Sequence, residues 1–315
     1  MNPLPGGADD RLDPETALPP AVPVSRDSTA GVAVMAHLRR QTGALLEAYA
    51  ALGVEGSDAI HASRVAARRL RSGLRVYGDL LRDGVAERLR PELAWYAGVL
   101  SPARDLEVFA QALERNAEDV HGFGDALLPW LRRRQALAEA STTEELGGPR
   151  ARTLHHLLLD VARSPRFTDE ASRKAHKVLA PRVLRADQRA AGMLEKLDPG
   201  DPAVEWHAAR IAAKRARYAA EVGAPALGRS CEDLARLWSG LTEPLGESQD
   251  AVIQRALVLD RVDDPSMPLS AGEAFVCGVY VASTHDREVD AQSRAHVIWV
   301  DTRAQHKALR RAVKG

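Results

Sequence analysis

From Thr29 onward, apolar residues return at intervals of three and four rather than two, which is the spacing of one face of an α-helix. This periodicity predicts helices from about Thr29 to Leu52 and, after the Gly53 and Gly56 breaks, from Ala59 to Leu81, with Ser57 or Asp58 as the cap. Gly84 ends that helix, and another is expected over Val85–Leu100. Ser101-Pro102, with proline suited to a first helical turn, predicts a new start and a helix to about Val120. A further helix follows from Gly124 to Ala140, and Ser141–Arg150 reads as a connection.

Beyond it the pattern predicts helices over Ala151–Arg163, Thr168–Leu197 (bent at Pro181), Asp201–Gly223, Pro225–Leu241 and Gly246–Leu259. Ser270 and Glu273 have the spacing of a capping box for a helix to about His285, and a last, basic-tailed helix ends near Val313. No segment alternates as a strand does. The expected fold class is all-α, as two helical bundles.

The chain also repeats itself. His61-Ala-Ser-Arg64-Val-Ala-Ala-Arg68-Arg69-Leu-Arg71 returns as His207-Ala-Ala-Arg210-Ile-Ala-Ala-Lys214-Arg215-Ala-Arg217, each position 146 residues further on. Leu100–Asp105 is echoed by Leu245–Asp250 at an offset of 145. Two landmarks in the same order at nearly the same spacing indicate an internal duplication, and with it a pseudo-two-fold relation between halves of about 29–145 and 150–313. Residues 1–28 read as a proline-rich leader without fixed structure.

At about 100° per residue, His61, Arg64, Arg68, Arg71 and Arg75 share a sector roughly 80° wide. His207, Arg210, Lys214 and Arg217 align in the same way. No acid stands between Asp58 and Asp79, or between Glu205 and Glu221. Like charges at i,i+4 repel by about 0.2–0.5 kcal/mol per pair. A basic face is often only a solvated face, but one built twice behind a matching histidine points to an anionic ligand. Arg69 and Arg215 fall off the stripe and are expected to pair internally with Asp105 and Asp250. Arg182, Arg185 and Arg189 form a third basic series, with Asp187 interspersed. Arg40 holds a comparable place ahead of the first copy.

Composition narrows the picture only a little. The chain is 45% hydrophobic and 4% aromatic, which suits helices packed through aliphatic stripes. Lys+Arg and Asp+Glu both total 43, so any electrostatic function lies in how charges are arranged. Cys231 and Cys277 are too few for a disulfide framework and are expected to be buried small hydrophobes. No apolar run is long enough to span a bilayer and no export signal is evident, so no membrane partner is expected. A cytoplasmic location follows as the expectation.

The segments IHASRVAARRLRSGLRVYGDLL and WHAARIAAKRARYAAEV, with LSPARDLEVF and LGESQDAVIQ behind them, resemble the conserved histidine α-helical domain, CHAD. The resemblance covers about residues 30–313. It implies two helical bundles about a pseudo-two-fold axis, with a basic, histidine-containing channel between them that binds inorganic polyphosphate. It lacks the Glu-x-Glu-x-Lys strand of the CYTH domain to which this family is often fused, and so resembles the stand-alone form. Departures are Trp206 ahead of the second histidine and Gln249 where the first half has Arg104.

Polyphosphate suits these residues. It carries about one negative charge per unit and no bases, and a run of arginine forks holds phosphate oxygens in pairs. The implied binding set is His61, Arg64, Arg68, Arg71, Arg75, His207, Arg210, Lys214 and Arg217, with Arg40, Arg182, Arg185 and Arg189 beside it. Nucleic acid is disfavoured because the stripes have no stacking aromatics. No cofactor or metal is implied and no catalytic residue is assigned. The alternatives are an enzyme using the paired histidines for phosphoryl transfer or metal binding, and a generic binder of the RNA backbone. Preferred chain length, granule association and oligomeric state stay open.

Overall fold

The computed structural model describes residues 18–20, 22–52, 57–115 and 123–314. In chain order the helices are α1 (Ala30–Ala51), α2 (Ser57–Tyr77), α3 (Val85–Arg115), α4 (Phe123–Leu146), α5 (Pro149–Arg163), α6 (Ala175–Leu194), α7 (Ala203–Leu227), α8 (Arg229–Thr242), α9 (Pro244–Val262) and α10 (Ala271–Lys314). Short 3₁₀ turns lie at Gly78–Leu80 and Asp169–Ser172. Among the described residues there is no strand, only isolated bridges at Thr29–Lys174 and Leu81–Phe167. The fold class is all-α. Most of the leader (residues 1–17 and 21), the Gly53–Gly56 break and the expected end near Val120 lie outside the described residues.

Several boundaries differ from the periodicity reading. Ser101-Pro102 starts no helix: α3 runs through both Pro91 and Pro102. An interior proline forfeits one helix hydrogen bond at a cost of about 3 kcal/mol. Here Leu93, Tyr96, Leu100, Ala103, Leu106 and Phe109, all buried, hold the helix against its neighbours on both sides of Pro102. The expected connection at Ser141–Arg150 is almost wholly helical, and only Gly147 and Gly148 separate α4 from α5. Asp187, interspersed in the third basic series, is fully buried.

Gly223 does not end α7. A Cβ there would meet Leu227 at 3.0 Å, Val183 of α6 at 3.2 Å and Cys231 of α8 at 3.6 Å, so the glycine serves close helix approach. Gly228, at φ +79°, makes the turn into α8. The capping box at the start of α10 is formed: the Ser270 amide donates to Glu273 at 2.8 Å and the Glu273 amide to Ser270 Oγ at 3.2 Å. The two helices expected after it are one.

A large apolar core joins both halves of the chain, drawing Leu70 and Leu74 from α2, Leu93 and Leu100 from α3, Val183 from α6 and Trp238 and Trp299 from α8 and α10. A smaller cluster collects Phe109 of α3, Trp130 of α4, Val258 of α9 and Tyr280 of α10. Helix α7 turns a row of alanines inward (Ala209, Ala212, Ala213, Ala216, Ala220), which lets it lie close to α2, α6 and α8. Trp206 is 2% exposed and belongs to the core rather than to a binding surface. Cys231 and Cys277 are buried free thiols. No helix among the described residues is long and apolar enough to cross a membrane.

Candidate basic cleft

Apolar positions on α2 (Ile60, Ala67, Leu70, Leu74, Tyr77) dictate its rotation, since burying them turns the stripe at His61, Arg64, Arg68, Arg71 and Arg75 outward. The alanine row of α7 does the same for His207 and Arg210. Helices α2 and α7 touch, and the Tyr77 hydroxyl donates to the Ala219 carbonyl at 2.8 Å. The two histidine-led faces therefore meet. A cleft of about 230 Å³ is lined by His61, Arg64 and Arg68 from α2, His207 and Arg210 from α7, Arg104 and Asp105 from α3, and Gln249 and Asp250 from α9. Lys214 lies within electrostatic reach of Arg210, Arg68 and Arg64.

Two acids in the cleft organise the cations without matching them. Arg64 donates to Asp105 at 2.9 Å. Asp250 faces Arg210 and Lys214; burial raises its carboxyl above the ordinary range, against the pull of Arg210. These contacts correct the expected pairs. Asp105 is held by Arg64, not Arg69, because α3 passes on the stripe side of α2. Asp250 is faced by Arg210 and Lys214, and Arg215 makes no ion pair among the described residues. Arg69 turns instead to Glu221 of α7, 3.6 Å away.

The cations feel one another. Burial first, then Arg210 and Arg68, bring the Lys214 ammonium down to about 7. Burial, with Arg68 and Arg64, lowers the Arg210 guanidinium, Asp250 acting against them. Burial and the Arg104 charge likewise lower the His61 imidazole. The Nε atoms of Arg68 and Arg210 are buried with no hydrogen-bond partner among the described residues. Unpaired buried donors are costly, and a concave anion would satisfy them. His207 places Nδ1 against Gln249 Oε1, an acceptor, which leaves Nε2 outside that hydrogen bond.

Other candidates are distributed around this cleft. Arg71 and Arg75 continue the α2 stripe beyond Arg68, and Arg189 of α6 faces Arg215 near them. Arg217 and Arg40 instead share a second pocket with Arg69, Glu221 and Glu232. Arg217 donates to Glu221 at 2.8 Å, so it leaves the stripe. Arg182 was expected at the wall of the cleft, but it is 7% exposed and bonded to Asp79 at 2.6 Å and Glu170 at 3.0 Å. Two carboxylates and the Val178 carbonyl occupy its donors, which makes it structural. Arg185 lies beside Glu170 in the same network.

Arg90 is absent from the expected binding set, and Arg104, set in doubt by Gln249 at the matching position, lines the cleft. They are 14 residues apart, close to four helical turns, and this spacing was the available signal that both lie on one face of α3. Among the described residues no group of three or more His, Cys, Asp or Glu side chains is placed to hold a metal ion.

Fold and cleft together define an all-helical protein in which two histidine-led basic helices face one another. The profile of the CHAD domain matches residues 36–259, and the chain belongs to the CHAD domain family. Its structure resembles PptA from Streptomyces chartreusis, with a TM-score of 0.71 and 23% identity over 86% of this chain and 99% of that one. It also resembles the CHAD domain from the plant Ricinus communis, with a TM-score of 0.69 and 22% identity over 88% of this chain and 94% of that one. No curated protein matches the chain.

Proposed function

We propose that this protein binds inorganic polyphosphate in the cleft between α2 and α7, and that it is a binding module rather than an enzyme. The observation that carries the reading is the crowding of cations from two helices into one concave site that two carboxylates do not neutralise, with the buried Nε atoms of Arg68 and Arg210 unpartnered among the described residues. A linear polyanion offers oxygens to successive arginine forks, and each contact releases counterions. Among the described residues the cleft is lined by no Phe, Tyr or Trp on which bases would stack, which favours polyphosphate over single-stranded RNA. Its acids sit against arginines, where they neither gather a metal nor serve as a general base.

Titration with labelled polyphosphate at several salt concentrations tests this. By analogy with single-stranded nucleic acid, the slope of log affinity against log salt is about −0.7 per phosphate neutralised. Replacing Arg64 and Arg210 with alanine should weaken binding and reduce the magnitude of the slope by about 1.4. Replacing Arg132 and Arg133, exposed on α4, should change neither quantity. Excess RNA should compete poorly, and the chain length of the polyphosphate should be unaltered after incubation. Unchanged affinity and slope in a folded Arg64→Ala, Arg210→Ala protein would remove the cleft as the binding site, and shortened chains would replace the module with an enzyme.

A further inference from the structure

The basic track has two ends, and they are not alike. At one end Arg71 and Arg75 of α2 meet Arg215 of α7, Arg189 of α6 and Arg90 of α3. Arg71 is continuous with the central cleft through Arg68. The charges around Arg215 are Arg75, Arg189, Arg90 and Arg71, with no acid among them. None of these five arginines makes an ion pair among the described residues.

At the other end Arg69 of α2 and Arg217 of α7 flank the Tyr218 ring, their guanidinium carbons 6.0 and 5.7 Å from its centroid, with Arg40 of α1 in the same pocket. Here an acid stands between two of the cations. Glu221 accepts from Arg217 at 2.8 Å and stands 3.6 Å from Arg69. Glu232 lines the same pocket.

The sequence offset explains the contrast. Arg69 and Arg215, Arg71 and Arg217, and Arg75 and Glu221 are each 146 residues apart. The two ends are therefore built from corresponding positions, and one substitution, a glutamate where the first copy has an arginine, reverses a charge. That reversal removes one cation, hydrogen-bonds Arg217 and sets a carboxylate within ion-pair distance of Arg69. Since phosphate must displace the carboxylate before it reaches Arg69 or Arg217, that end is a poor continuation of an anionic track.

We propose that the polyphosphate site is one-ended: the chain leaves the central cleft over Arg71, Arg75 and Arg215, and Glu221 closes the opposite end by engaging Arg69 and Arg217. Glu221 is then the residue that limits how many phosphates the protein covers. This rests on the polyphosphate reading above, and adds to it a length limit and the side on which the chain emerges.

The test uses a series of polyphosphates of increasing defined length with the full chain and two variants. In the unaltered protein, affinity should rise with length and then level off. Glu221→Gln, which keeps the side-chain shape and frees both arginines, should move the levelling point to longer chains. It should also steepen the salt slope for long chains by about 1.4, one contact for each arginine. Affinity for chains short enough to fill only the central cleft should not change. Arg75→Gln should do the opposite, levelling off at shorter chains, and circular dichroism confirms folding in both.

If the unaltered protein binds no polyphosphate, the functional reading fails and the one-ended site falls with it. If it binds through Arg64 and Arg210 but Glu221→Gln leaves both levelling length and slope as they were, the functional reading stands and the one-ended site is overturned. Loss of long-chain affinity in Glu221→Gln equal to that in Arg75→Gln would also overturn it, because Glu221 would then support binding.

Discussion

Lys214 shows how a single side chain reports on the whole cleft. Its ammonium is held down to about 7 by burial and by Arg210 and Arg68, with Asp250 opposing and Arg64 adding a smaller push. A phosphate chain alongside favours the charged form, so Lys214 in the complex keeps a proton that the free protein gives up. The sign follows from linkage: this contribution to affinity is complete below about 7 and is lost as pH rises from there toward the value in the complex. His61, held below its ordinary 6.5, adds a decline of the same sign at lower pH. Titrations from about pH 6 to 9 should show affinity falling with pH, and Lys214→Arg should flatten the upper part of the profile. An equally steep profile in that variant would assign the proton to another group.

The cationic stripes were legible because helical spacing needs only the sequence; the partners were not. A helical wheel places Arg69 off the stripe, but which acid it meets depends on the side on which α3 passes, a tertiary fact. Arg182 illustrates the same limit. Its spacing matches a groove residue, yet the 3₁₀ turns carrying Asp79 and Glu170 fold over it and take its donors.

At the scale of the helix, proline and glycine were the misleading signals. Both were read as punctuation, and both here serve packing. Pro102 sits inside α3 because buried neighbours on either side outweigh one missing hydrogen bond, and Gly223 sits inside α7 because α6 and α8 come too close for a side chain. Local propensity is a weak prior against such contacts. Gly223→Val should therefore destabilise the protein by about 1–3 kcal/mol through overpacking. Gly240→Ala, on an exposed face of α8 with open space around the added methyl, should stabilise it by up to about 1 kcal/mol. Urea denaturation of both variants checks the contrast, and equal shifts would mean that Gly223 has no packing role. The capping box at Ser270 and Glu273 was readable because it is local in sequence.

At the scale of the molecule, one large core draws on both halves of the chain, which the helical pattern alone does not reveal. Periodicity identifies a buried face without identifying what buries it. Helix α10, 44 residues and so about 66 Å long, makes the difference plain. Its first turns enter the small cluster through Cys277 and Tyr280, and its later turns enter the large core through Ala295 and Trp299. Near its end, buried Asp187 of α6 receives Trp238 Nε1 at 2.9 Å, lies 2.8 Å from His306 Nε2, and pairs with Arg310 at 2.8 Å. Asp187→Ala leaves three polar partners stranded and should cost about 3–5 kcal/mol, read as a lower denaturation midpoint.

A rod embedded in two apolar clusters also makes them mechanically interdependent. Neither can come apart while α10 stays in register with the other, so heat should dissolve the molecule in one cooperative event rather than cluster by cluster. In a scanning calorimeter the calorimetric and van't Hoff enthalpies should then agree. Helix α3 ties the same two clusters through Leu100 and Phe109, so with the rod's grip on the large core loosened at Asp187 the protein should still melt in one peak, at a lower temperature.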